Sequence, residues 1–293
     1  MYFSKGKRVT FIKSILSNLP TYFLSLFPIP ATVANRIEKL QRDFLWGGLG
    51  EEFKYHLVSW SKVCSPISEG GLWIHNLRLS NQALLGKWLW RYATKRDAWW
   101  KAIVDIKYGC NWGGWCSMDP PGSYGVGLWK YIRRGRKIFS SHTKFDSGDG
   151  TRIRFWDDVW CGEVCLKTVF LVLYNIALVK EAFVATNMDL SSGTIHWNII
   201  FIRLAHDWEV KMLASFYSLL YSFRGRRGGV DKLWWIPSHK GIFDVRSFYK
   251  ILAYKDNPSF PWKSIWQTKA PLKVAFFALS ATLGKILTMD NLK

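Results

Sequence analysis

The chain has 293 residues, 49% of them hydrophobic, and its 41 Lys and Arg against 21 Asp and Glu leave a net charge of +20. That apolar fraction supports a buried core and excludes a disordered polar chain, and five Cys at irregular spacing exclude a secreted disulfide framework. Lys13 and Pro20 interrupt the first apolar stretch, and Val169–Val179 is too short to span a bilayer, so no membrane partner is expected and the chain reads as intracellular, nuclear or cytoplasmic and not secreted.

In chain order, Val9, Ile12, Leu16 and Leu19 recur at helical spacing, and after Pro28 and Pro30 so do Val33, Ile37, Leu40 and Phe44, closed by Gly47-Gly48. The two segments read as a helical hairpin. Ser65-Pro66 and Glu69-Gly70-Gly71 are turn chemistry, and Asn76 is a cap for a third helix whose buried face is Leu77, Leu84, Leu85, Trp88 and Tyr92. A shorter helical segment starts at Trp99-Trp100. Residues 109–127 are a Gly- and Pro-rich break, followed by one basic helix over Leu128–Phe139.

Thr143-Lys144-Phe145 and Arg152-Ile153-Arg154-Phe155-Trp156 flank Gly148-Asp149-Gly150 and read as a β-hairpin. The stretch 168–223 is mostly helical by pattern, and Arg224 to Gly229 is a basic loop. Leu233–Ile236 and Ile242–Val245, joined through His239-Lys240-Gly241, read as a second hairpin, with helices at about 246–253, 262–267 and 271–284. The fold expected is α+β, mainly helical with two small β-hairpins and no large sheet.

For catalysis, the sharpest candidate is the acidic pair Asp157-Asp158 after a strand-like segment, because two-metal polymerase chemistry uses paired carboxylates near strand ends. No further carboxylate is recognisably placed to complete it, so the pair reads as strand-ending, with Asp158 capping the next segment. Cys110 and Cys116, and Cys161 and Cys165, lack the spacing of paired zinc half-sites. No nucleophile elbow and no phosphate-binding glycine loop is present. The expectation is therefore not an enzyme, with no cofactor and no small-molecule substrate.

What stands out is basic residues among aromatics. Lys130, Arg133, Arg134, Arg136 and Lys137 neighbour Trp129 and Tyr131, and Arg224, Arg226 and Arg227 precede Trp234 and Trp235. Cationic grooves track phosphates by counterion release, and aromatic faces stack bases, so these eight residues are the candidate nucleic-acid-binding set and RNA or DNA is the expected partner. Most of the 18 Trp are expected in the core.

Ordered blocks run along nearly the whole chain: Leu16-Ser17-Asn18-Leu19-Pro20, Phe44-Leu45-Trp46-Gly47-Gly48, Trp60-Ser61-Lys62-Val63-Cys64 then Gly70-Gly71-Leu72, Asn81-Gln82-Ala83-Leu84-Leu85-Gly86-Lys87-Trp88, Gly148-Asp149-Gly150 through Phe155-Trp156-Asp157, and Ala270-Pro271-Leu272-Lys273-Val274 through Asp290-Asn291-Leu292. In order and spacing they resemble plant LINE-type, non-LTR retrotransposon polyproteins downstream of the reverse transcriptase palm. The resemblance implies a helical thumb- or connection-like region at 1–108, a basic linker region with hairpin and helices at 109–229, and the leading half of a reverse transcriptase zinc-binding domain at 230–293. It also implies that the palm carboxylates lie upstream and that the zinc ligands would lie beyond Lys293. The chain departs from the family at Leu279-Ser280, where the family tends to have Trp. The function expected is a non-catalytic nucleic-acid-binding fragment supporting template RNA or target DNA, the alternative being an inactive structural remnant.

Overall fold

In the computed structural model, which describes residues 4–47, 56, 58–119, 127–189, 195–223, 229–254, 260–268 and 270–286, helices carry most of the structure. The sheets among the described residues are two, both two-stranded and antiparallel, so the chain is a mainly helical α+β protein. No helix among the described residues is long and apolar enough to cross a membrane. Packing divides the chain into two compact units, Met1–Lys87 with Val245–Lys293, and Trp88–Asp244. Its divisions fall after 87 and after 244.

In the discontinuous unit, helix Lys5–Phe11 starts at Ser4, whose hydroxyl accepts from the Lys7 N–H, and continues as a π-turn over Ile12–Leu16. Ile12 is fully buried, whereas Leu19 is 70% exposed, so the expected stripe ends with the helix. Helix Ala31–Trp46 forms as expected, but its buried residues are Ala34, Gln41 and Leu45, while Val33 and Leu40 face solvent. The correction has a polar cause. The half-buried Glu38 lies on the Ala34 and Leu45 side and accepts the Leu77 N–H at 3.1 Å, at the start of helix Leu77–Thr94. Asn76 caps that helix as its sequence position predicts, accepting from the Leu79 N–H at 3.0 Å.

The buried Asn81 fixes the proline-bracketed link. Its amide donates to the carbonyls of Leu24 and Phe27 at 2.7 and 2.8 Å and its oxygen accepts from the Ile29 N–H at 3.0 Å, three bonds that no apolar residue could supply. The core joins Ile12, Leu45, Val63, Leu72 and Ile74 to Ile265, Phe276 and Leu279, the last three from helices Trp262–Trp266 and Leu272–Thr282.

In the Trp88–Asp244 unit one strand of each expected hairpin exists, but the hairpins do not. Thr143–Asp146 pairs antiparallel with Lys232–Trp235, in a register that sets Thr143 opposite Trp235 and Asp146 opposite Lys232. Residues 152–156 form bends with one isolated bridge, Arg154 to Phe183. The reason lies in Asp231, 3% exposed, whose carboxylate accepts three backbone N–H groups, Gly148 and Gly150 at 2.8 Å and Arg152 at 2.9 Å. The Gly-Asp-Gly turn thus wraps a carboxylate from just before the distant strand instead of reversing a local hairpin. Gly150 has φ +67°, and a Cβ there would lie 2.8 Å from the Ala185 nitrogen, so only glycine fits. The second expected hairpin is likewise one strand followed by a tight loop, closed by the Trp235 N–H on the Gly241 carbonyl at 2.9 Å.

The 166–223 stretch is less helical than its pattern. Short helices Leu166–Val169, Leu171–Ile176 and Val184–Asn187 precede a two-residue ladder, Met188–Asp189 with His196–Trp197, and helix Val210–Ser222. These pieces enclose a ring-rich core around Phe155, Trp156, Trp160, Phe170, Trp197 and Phe216. Trp156 stacks on Phe216 with centroids 5.5 Å apart and planes 10° from parallel. The buried indoles of Trp160 and Trp197 donate to the carbonyls of Phe155 and Leu220 at 2.9 and 3.1 Å.

Candidate nucleic-acid interface

The expected single basic helix is broken at Gly135 into Leu128–Arg134 and Arg136–Ser140. Trp129, Ile132 and Phe139 anchor the pair inward. Trp129 packs on Tyr92 with centroids 5.2 Å apart and donates its indole N–H to Ser117 Oγ at 2.9 Å, and Phe139 stacks on Trp235. Arg134 and Lys137 are exposed, and Lys130 and Arg136 are half-buried. Arg133 differs from its neighbours: it is 7% exposed and its Nη2 lies 2.7 Å from Asp119. Spacing holds the signal for this. Residues 129, 132, 133 and 136 follow i, i+3, i+4, i+7, which puts Arg133 and Arg136 on the Trp129 side. Arg224, Arg226 and Arg227 lie outside the described residues.

A second cationic group escaped the sequence reading because its partners are far apart in the chain. The loop around Trp112–Gly114 presents two indoles to Arg152 and Arg154. The Arg152 guanidinium lies 3.7 Å from the Trp115 ring centroid, and that of Arg154 lies 3.5 Å from the Trp112 ring centroid. The Trp115 indole donates to the Arg152 carbonyl at 2.9 Å, and Arg152 Nε donates to the Gly113 carbonyl at 2.6 Å.

The acidic pair belongs to this framework. Asp157 is bracketed by Arg154 and Lys167, each at 3.1 Å, and Arg154 also reaches Glu181 at 3.5 Å. Asp158 accepts from the Arg154 N–H at 2.9 Å, so it closes the turn before it, not the segment after it. Burial pushes the Asp158 carboxyl up to about 6. Two carboxylates so engaged are held by cations and backbone in the manner of a structural turn.

The cysteines behave as packed or isolated thiols: burial pushes Cys161 up to about 11, and Cys165 Sγ lies 3.0 Å from Thr168 Oγ1. Among the described residues, no group of three or more His, Cys, Asp or Glu is placed to hold a metal ion.

A family model described as zinc-binding in reverse transcriptase matches residues 243–293. An Arabidopsis thaliana protein named "Putative ribonuclease H protein" is 31% identical over 284 residues, 92% of this chain and 43% of that protein. These similarities support a plant retrotransposon polyprotein fragment. The chain spans under half the length of the "Putative ribonuclease H protein" relative. An uncharacterized mitochondrial protein of Arabidopsis thaliana is 28% identical over 144 residues, 48% of this chain and 92% of that protein. No solved structure matches. The segment matching the zinc-binding family contains no Cys and no His, so within it no side chain of the usual structural-zinc type is present.

Proposed function

We propose that this chain is a non-catalytic nucleic-acid-binding part of a retroelement reverse transcriptase polyprotein, which supports template RNA or target DNA for a polymerase. The helix pair Leu128–Arg134 and Arg136–Ser140 carries the reading. Its apolar residues are committed to the core, while Arg134 and Lys137, flanked by Lys130 and Arg136, are left toward solvent in a chain of net charge +20. Cations fixed on a packed scaffold neutralise phosphates without reading sequence, so affinity without base preference is expected. The engagement of Asp157 and Asp158 in ion pairs and a backbone bond supports the non-catalytic half of the reading. In this reading the chain works in the nucleus or cytoplasm and takes no small-molecule substrate.

Fluorescence anisotropy of the full chain with labelled single-stranded RNA and duplex DNA tests it. Binding at low salt that weakens linearly in log–log form as salt rises is the expected outcome. Absence of binding at low salt would instead support an inactive remnant that keeps the family's basicity.

A further inference from the structure

Arg133 and Arg136 share a cleft with the loop before the basic helices. It encloses about 60 Å³, and its walls include Trp129, Phe139 and Leu233. A water needs roughly 10–15 Å³ of such space, so the cleft has room for about four or five heavy atoms, the size of a tetrahedral oxyanion.

The polar residues that line this space include hydrogen-bond donors. Arg133 is buried, with Nη2 on Asp119, yet its Nε has no hydrogen-bond partner. A buried guanidinium N–H left unpaired is costly, and a ligand oxygen would remove that cost. Ser117, 1% exposed, accepts the Trp129 indole N–H at 2.9 Å, which leaves its own hydroxyl proton to donate. Arg136 lines the same cleft, and no Asp or Glu does. Two guanidinium groups, one of them also bonded to Asp119 from outside the lining, and a hydroxyl donor among aromatic and aliphatic walls suit an anion that only accepts.

We propose that this cleft is an oxyanion site that takes one phosphate group, either free or from a nucleic-acid backbone, on Arg133, Arg136 and Ser117. The proposal stands on the cleft and is independent of nucleic-acid binding elsewhere on the chain. In the backbone case the site fixes one phosphate in place, while Arg134 and Lys137 act as exposed, salt-sensitive contacts.

Calorimetric titration of the full chain with inorganic phosphate, at ionic strength held constant with chloride, tests it. Saturable one-to-one binding is expected, weakened about tenfold by Arg136→Gln, a half-exposed position whose loss leaves the core intact. Arg133→Gln, checked for folding by circular dichroism, is expected to weaken it at least as much. No saturable phosphate binding, or equal affinity in folded Arg136→Gln, would overturn the proposal. The source is then read by competition. Phosphate that displaces a labelled oligonucleotide identifies a backbone phosphate as the occupant, and phosphate that binds without displacing it identifies a free oxyanion. An oligonucleotide that binds a chain with no phosphate site overturns this proposal and leaves the proposed function standing.

Discussion

Around Phe155 and Trp156 the Trp88–Asp244 unit buries rings, whereas around Ile12 and Leu45 the discontinuous unit buries mostly aliphatic side chains drawn from residues near both ends of the sequence. The ring-rich core brings directional demands with it. A buried indole N–H calls for an acceptor, which Trp160 and Trp197 find in backbone carbonyls and the central Trp156 does not, and a broad ring face invites a cation, as Arg152 and Arg154 show. The mostly aliphatic core depends on segments about two hundred residues apart, so its contacts are costly in loop-closure entropy. Tryptophan is concentrated in the Trp88–Asp244 unit, where packed rings hold up the helices that carry Arg134 and Lys137, whereas both units share the excess of positive charge.

Removing the ring at the centre of this contrast should have the largest effect. Trp156→Ala deletes a fully buried indole stacked on Phe216 and is expected to cost about 3–5 kcal/mol. Hydrogen exchange read by mass spectrometry should show protection lost across 150–220 and kept in 9–16 and 272–282, and equal loss in both would merge the two cores into one. The reciprocal change, Leu45→Ala, should cost about 2–4 kcal/mol and reverse that pattern. Asp231→Ala strands three N–H groups and should cost about 2 kcal/mol, with exchange quickening first at Gly148, Gly150 and Arg152, and Asp231→Asn should restore part of it.

Acid titration should be smaller in effect and opposite in sign at two sites of the ring-rich unit. Asp158 holds its proton up to about 6, above the ordinary 3.8, so the folded chain binds a proton that the unfolded chain has lost. Its contribution falls as pH rises from about 4 to about 6, and Asp158→Asn should flatten that part of a denaturation midpoint curve. Glu209 is held down to about 2, chiefly by the Arg203 guanidinium, which meets both its oxygens at 2.7 Å. Its contribution is present above the ordinary 4.5 and is lost as pH falls toward 2, and a profile unchanged by Glu209→Gln would remove that pair from the account.

Legibility followed range. The Asn76 cap and the helices near 246–253 and 271–284 rest on neighbours in sequence, and they stand within a few residues of where spacing puts them. Two of the four expected strands, those at 143–146 and 232–235, were legible, and their pairing was not, because the partner of Thr143 is Trp235 and the Gly148–Gly150 turn answers to Asp231, both more than eighty residues away. A local reading assigns the same turn to a hairpin. At the candidate interface, residue type gave the basic cluster, but helical phase decided which side chains reach water. That phase turns Arg133 inward, a distinction a run of like charges hides. The Arg152 and Arg154 stacks had no signal at short range at all.

The most direct test of the claim that the ring-rich unit presents the nucleic-acid contacts compares two matched pairs of exposed cations. Arg134→Ala with Lys137→Ala is set against Arg36→Ala with Lys39→Ala from helix Ala31–Trp46, each removing two positive charges. The measurement is the slope of log affinity against log salt for single-stranded RNA. If Arg134 and Lys137 each contact a phosphate, the slope of the first variant is shallower by about 1.4 than that of the unaltered chain, roughly 0.7 per contact, and the second variant keeps the original slope. Equal flattening in both would mean that net charge alone drives binding, and flattening only in the second would contradict the account outright.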